Sequence, residues 1–347
     1  MSRVRSRGED VRRFILEHVE KHPADISKVA AGHFAITRQA VNKHLQRLTS
    51  ERSLAESGHT RNRIYKLVPL SEWRRAYKIT PELAEDLIWA NEVRAAIDLL
   101  PENVLNIWHY GFTEMCNNAI DHSGGTEISV HIKKTAANTE MVLLDNGIGI
   151  FKKIQTELNL LDERHAILEL SKGKLTTDPK RHTGEGIFFT SRMFDSFDIL
   201  SGGVFFSHEF GKPEDWILER DKFDSGTMVW MKIHNHTSRT TKKIFGQYSS
   251  GDDYGFNKTV VPVKLAQYGN DRLISRSQAK RLLARIELFK TVIFNFTGID
   301  SIGQAFADEI FRVFANHHPE VELLTAHANS EVRRMIERAK AGGVAAE

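Results

Sequence analysis

Apolar residues recur at helical spacing from the start of the chain. Val11, Phe14, Ile15 and Val19 mark an amphipathic helix over 9–21, stopped by Pro23. Ile26, Val29 and Ala30 predict a second, short helix after Asp25, with Gly32 at its turn. Thr37 is a predicted cap for a third helix over 38–50, whose inward side is Val41, Leu45 and Leu48. Alternation at Ile64, Tyr65 and Leu67 predicts a hairpin across 54–67. Leu83, Leu87, Ala90, Val93 and Ile97 make 82–100 helical, as a connector, a dimer seam or the first helix of the next domain. After Pro101 a long helix to about His122 carries Leu105, Trp108, Phe112, Met115 and Ala119 on its apolar stripe.

Strands are expected at about 126–134, 139–145 and 228–233, and a helix over 187–194. The stretch 151–181 is polar, Lys-rich and poorly periodic towards its end, as a mobile lid would be. Residues 238–257 hold few aliphatics and read as a linker. Strand and helix then alternate: strands at 259–268, 291–296 and 321–325, helices at 275–289, 304–316 and 329–340. The expected organisation is an α/β multidomain chain: a first domain over 1–68, a linker over 69–81, a second domain over 82–237, a linker over 238–257 and a small α/β domain over 258–347.

Composition fits that organisation. With 347 residues, 41% hydrophobic and 27% charged, the chain supports two or three globular cores. A single cysteine, Cys116, rules out an intrachain disulfide and suits a reducing compartment. The start lacks the apolar stretch of a signal peptide, and no run approaches the roughly 18 apolar residues of a membrane span, so a soluble cytoplasmic protein with no membrane partner is expected. Charge is uneven: residues 1–68 hold 14 Lys and Arg against 7 Asp and Glu, while the whole chain carries only +3. A basic module on a mildly acidic body points to a polyanion as the partner of the first module alone.

On the long helix, Glu114, Asn118, Asp121 and His122 stand at i, i+4, i+7 and i+8, apart from the apolar stripe. A carboxylate one turn before an amide suits phosphate chemistry: the Asn118 oxygen can ligate Mg²⁺ beside phosphate oxygens, and Glu114 can accept a proton from a water or hydroxyl. Asp145, at a strand end, is an acceptor able to read the adenine amino group, and Gly147 and Gly149 let backbone pass close to the base. Gly184 and Gly186 open a helix whose amides can cradle phosphate. Thr227 adds a hydroxyl at a third corner.

These motifs, over about residues 82–235, resemble the GHKL ATPase superfamily, an α/β sandwich shared by gyrase B, Hsp90 chaperones, histidine kinases, MutL and anti-sigma-factor kinases. Glu114 and Asn118 match its N box, Asp145, Gly147 and Gly149 its first glycine box, and Gly184 and Gly186 its second. The form Glu-x-x-x-Asn-Ala-Ile-x-His is most similar to the anti-sigma kinases. The resemblance implies Glu114 as general base, ATP contacts at Asn118, Asp121, Asp145, Gly147, Gly149, Gly184, Gly186 and Thr227, and ATP with Mg²⁺ as cofactors. It leaves open whether ATP is hydrolysed, transferred to protein or only bound. No phosphoacceptor His segment precedes the boxes, and no room for a large transducer domain follows them, which disfavours those subfamilies.

The first module resembles a winged helix-turn-helix of the bacterial repressor kind. That resemblance implies double-stranded DNA as partner, with Arg38, Gln39, Asn42 and Lys43 on the recognition helix and Arg61 and Arg63 at the wing tip. The centre of the last domain, Val292–Phe306 with its Asp300-Ser301-Ile302-Gly303 turn, resembles a STAS-like domain of the anti-sigma-antagonist kind, which implies Ser301 as a phosphoacceptor and a protein partner; the alternative is that Ser301 caps the next helix. His234 with His236 could chelate a metal, though exposed histidines fit as well. The expected function is an ATP-binding, DNA-binding transcriptional regulator, expected to be a homodimer on two-fold DNA sites. The alternatives are a protein serine kinase or ATPase whose first module docks protein, and a nucleotide sensor without turnover.

Overall fold

The computed structural model describes residues 3–59, 62–176, 183–212, 215–219, 225–250, 253–267 and 272–341. Arg61, His182, Asp224 and Asp252 of the stretches discussed above lie outside them.

Three helices and a hairpin open the chain: α1 (Arg3–His18), α2 (Ile26–Phe34), α3 (Arg38–Ser50), β1 (Leu54–Ser57) and β2 (Ile64–Leu67). α1 reaches back further than its apolar spacing predicts, because nothing between Arg3 and Arg7 breaks a helix. Thr37 caps α3, its hydroxyl accepting the amide of Ala40 at 3.2 Å. α2 is closed by Ala35 in a left-handed conformation (φ 51°), while Gly32 stays helical. Val11, Ile15, Ala30, Val41, Leu45 and Tyr65 share a small core that is separate from the rest of the chain.

The next element, β3 (Ser71–Lys78), lies in the stretch expected as a linker and forms the edge of a sheet. α4 (Glu85–Ile88), a π-helical turn at Trp89–Val93 and α5 (Arg94–Ala96) lead to α6 (Glu102–His122). Then follow β4 (Glu127–Lys134), β5 (Asn138–Asp145), α7 (Ile150–Glu157), α8 (Glu163–Lys172), α9 (Gly186–Met193), β6 (Ser196–Ser201), β7 (Val204–Glu209), β8 (Trp216–Glu219) and β9 (Thr227–His234). The seven strands form one antiparallel sheet in the order β3-β4-β5-β9-β6-β7-β8. Strict alternation along β5 and β9 buries one face, against which α6 lays Ile107, Trp108, Phe112 and Met115. α8 falls within the expected lid, yet every residue from His165 to Lys172 is buried.

The expected linker over 238–257 holds α10 (Thr241–Gln247), β10 (Ser249–Ser250) and β11 (Asp253–Phe256). Aromatics rather than aliphatics seat it: Phe245 lies 4.5 Å from the Phe189 ring, and Phe256 4.6 Å from Phe188. The remainder alternates as predicted: β12 (Lys258–Pro262), α11 (Arg276–Leu283), β13 (Thr291–Asn295), α12 (Gln304–Asp308), a π-helical Glu309–Phe314, α13 (Ala315–His317), β14 (Glu322–Ala326) and α14 (Ser330–Ala341). Its strands make a parallel sheet, β12-β13-β14. One hydrophobic core runs from Trp108 through Phe188 and Phe256 to Phe294 without a break. Among the described residues no helix is long and apolar enough to cross a membrane.

Trp108 is fully buried in that core and stacks edge-on against Phe194 at 4.7 Å. Trp108→Ala is expected to destabilise the protein by about 3–5 kcal/mol, read as a lower denaturation midpoint in urea.

Candidate functional site

α9 runs antiparallel to α6. Phe194, just past its C-terminal end, meets Gly111, where any Cβ would strike the phenyl ring. Gly186, at its start, meets Glu114 one helical turn further along α6, where a Cβ would strike the carboxylate. The amino end of α9 therefore opens onto Asn118 and His122, the next residues on that face of α6. The space there is a cavity of about 270 Å³. Its wall takes Glu114, Asn118 and His122 from α6, Asp145 and Thr227 from neighbouring strand ends, and Lys153 from α7. Thr176, Thr183, Gly184 and Gly186 close the polar side, while Leu143, Ile150, Ile199 and Val229 line an apolar side.

Asp145 and Thr227 face each other across the β5–β9 pair. One Asp145 carboxylate oxygen accepts the amides of Gly147 (2.8 Å) and Thr227 (3.3 Å). The Thr227 hydroxyl accepts the amide of Ile150 at 2.9 Å, which fixes the start of α7. Burial pushes the Asp145 carboxyl upward, and the bonds from Gly147 and Thr227 hold it back. Gly147 and Gly149 are not part of the cavity wall. A Cβ on Gly147 would strike the Ser123 carbonyl, and Gly149 (φ 90°) is pressed against Ser201 and Gly226. They let the 145–150 turn thread past the end of α6, and so place Asp145.

Glu114 is set among other carboxylates in the wall. Burial raises its pKa first, and the nearby carboxylates of Glu185 and Glu85 raise it further. Glu185, between the two glycines, is itself raised by burial and lowered by Lys174. The sequence-predicted residues Glu114, Asn118, Asp145, Gly184, Gly186 and Thr227 thus converge on one cavity. Asp121 is exposed and outside the wall; His122 and Lys153, which were not among the expected ligand contacts, are in it. Lys153 rests 3.6 Å from Glu157.

The other expected residues lie apart. Arg38, Gln39, Asn42 and Lys43 are all exposed along α3. Arg63 is half-buried and folds back to within 3.5 Å of Glu56. Ser301 does not cap α12: the capping position belongs to Gly303, with no side-chain bond. No described residue of the C-terminal α/β unit, Ser301 included, lines the cavity. His234 Nδ1 donates to the Asp195 carboxylate at 2.6 Å, and no group of three or more His, Cys, Asp or Glu able to hold a metal occurs among the described residues.

Residues 278–333, from within α11 to the start of α14, match the family model of a STAS-like domain of unknown function (DUF4325). No curated protein matches the chain.

The raised Glu114 pKa sets a pH test. The folded carboxyl holds its proton more tightly than the unfolded one, so its contribution to stability is present below the unfolded pKa and lost as pH rises through the folded pKa. Glu114→Gln removes that loss. The variant is expected to melt above the wild type at pH 7, with the difference closing towards about pH 4; equal shifts at both pH values would show that charge burial is not the cause.

Proposed function

We propose that this chain is an ATP-binding, DNA-binding transcriptional regulator in which the nucleotide state of the cavity controls how the N-terminal module meets DNA or a partner. The observation that carries this reading is the convergence of Glu114, Asn118, Asp145, Gly184, Gly186 and Thr227, drawn from distant sequence segments, on one cavity. In this reading the fold around it is the GHKL sandwich, with adenine on the apolar side against Asp145 and Thr227. The phosphates lie at the amino end of α9, where the first-turn amides and the helix dipole favour anions. The absent side chain of Gly186 lets the Glu114 carboxylate lie against the start of α9, which sets that carboxylate at the phosphate end of the cavity. Asn118 would hold Mg²⁺ there through its amide oxygen, and the ion would neutralise phosphate charge. Glu114 accepts the proton of an attacking water or hydroxyl, and burial makes it a stronger base.

The N-terminal helices and hairpin serve, in this proposal, as a winged helix-turn-helix. Arg38, Gln39, Asn42 and Lys43 stand ready for a major groove because the apolar stripe of α3 is turned inward on Val41, Leu45 and Leu48. The body would pair as a homodimer on two-fold sites, and the STAS-like domain offers a surface for a protein partner. A second reading, a protein serine kinase, keeps Ser301 as its target because that hydroxyl is not engaged as a helix cap. Since Ser301 is outside the cavity wall, such transfer would run between molecules.

Asn118→Ala and Asp145→Asn are each expected to weaken MgATP binding at least about tenfold by calorimetry. A wild type that binds no nucleotide sinks the proposal. Arg38→Ala with Lys43→Ala is expected to weaken binding to selected duplex DNA. The salt dependence of affinity should flatten as well, by about one unit of slope for each phosphate that the variant no longer neutralises. Unchanged DNA binding would leave the first module as a protein-docking element.

A further inference from the structure

The cavity wall at Leu175 and Thr176 is held from behind by the C-terminal unit. The Leu175 amide donates to the Gly184 carbonyl at 3.1 Å, so the two sides of that wall move as one. Directly before it, three consecutive residues are tied to the segment 281–288. The Lys172 ammonium, fully buried, donates to the carbonyls of Arg281 (3.1 Å) and Ala284 (2.9 Å). The Arg285 guanidinium donates to the carbonyls of Gly173 (3.5 Å) and Lys174. The Lys174 ammonium donates back to the Leu288 carbonyl at 2.8 Å. Glu169, also buried, takes Lys172 on one oxygen (2.7 Å) and Arg285 on the other (3.1 Å).

The backbone conformations point the same way. Gly173 (φ 82°), Lys174 (φ 53°) and Arg285 (φ 63°) are all left-handed, and for two of them a side chain makes that conformation costly. Such strain persists only where surrounding contacts over-determine it, and here the contacts are those of one residue set with the other. Lys174 also lowers the pKa of Glu185, between the glycines at the start of α9, so the junction reaches the end of the cavity where Gly184 and Gly186 stand.

We propose that Arg285, carried by the STAS-like C-terminal unit, is a positioning residue of the nucleotide pocket. It fixes the Leu175–Thr176 wall through the carbonyls of Gly173 and Lys174, so the pocket is complete only with the C-terminal unit seated. This inference rests on reading the cavity as a nucleotide site. Because the held wall is joined to Gly184, its effect falls on the phosphate end and spares the Asp145–Thr227 end.

The test uses the full chain, with Arg285→Ala, and Arg285→Gly as the variant that relieves the left-handed backbone while still removing the guanidinium. In both, Lys172 keeps Glu169 paired. Amide hydrogen exchange without nucleotide is expected to speed at Leu175 and stay unchanged in β5 and β9. By calorimetry, MgATP should bind about tenfold more weakly while adenosine binds as in the wild type. Unchanged exchange at Leu175, or equal weakening of MgATP and adenosine, overturns the proposal. A wild type that binds neither ligand defeats the nucleotide reading instead, and the exchange result then decides alone whether Arg285 holds this wall.

Discussion

The close crossing of α6 and α9 is the constraint from which the rest of the cavity follows. Gly111, Glu114 and Asn118 stand at i, i+3 and i+7, so they share one face of α6. At Gly111 the absent side chain admits the Phe194 ring, and at Gly186 it admits the Glu114 carboxylate. With both contacts made, α9 ends its run along α6 at Glu114, and Asn118 and His122 look past its first turn. An alanine at Gly111 would strike the Phe194 ring, and one at Gly186 would displace the Glu114 carboxylate from the start of α9. Packing and chemistry meet here: one glycine seats the Phe194 ring between the helices and the other seats the Glu114 carboxylate against the start of α9.

That requirement carries through to the C-terminal unit. Phe188 and Phe189 on α9 are backed by Phe245, Tyr248 and Phe256, and Phe256 in turn meets Phe289 at 5.2 Å. The hydrophobic core is continuous across this aromatic seam. Into the same seam the chain sets Glu169, Lys172 and Arg285, whose burial is tolerable only because every charge is met by an opposite charge or a carbonyl. A pair of this kind adds little net stability over apolar residues of the same size, but it admits one arrangement of the two units and penalises the others. The geometry of the cavity wall is thus specified by charge pairing outside the cavity.

Much of this was legible in the sequence where chemistry and periodicity coincide. The apolar stripes of α3 and α6, the alternation of β5 and β9, and the strand-helix order after residue 258 follow from residue spacing alone. Other positions were not legible, for identifiable reasons. Asp121 and His122 were both near the right face; at 100° per residue His122 is about 40° from Asn118 and Asp121 about 60° on the other side. His122 lines the cavity wall and Asp121 does not. Gly147 and Gly149 announce close approach, but not that the approaching atoms belong to Ser123, Ser201 and Gly226. The stretch 238–257 hides its core contacts in isolated aromatics without period, and α8 reads as polar although its Glu169 and Lys172 are buried, paired with each other and completed by residues more than a hundred positions away.

The two junctions of the central unit differ in kind, and the difference bears on how any signal could travel. The N-terminal module has its own core and meets the sheet through polar groups: Glu20 takes Lys232 at 2.6 Å and Asn138 at 3.2 Å, and Lys232 is shared with Glu140 at 3.0 Å. The Glu20 side chain keeps 43% of its exposure, so this contact is screened by salt and worth on the order of 1 kcal/mol or less. The C-terminal junction is a buried core with internal charge pairs. Breaking the Glu20–Lys232 contact therefore costs little, whereas separating the C-terminal unit would expose buried core and buried charge. The N-terminal module therefore keeps its own core whether or not that contact is made, whereas the C-terminal unit shares its core with the central one.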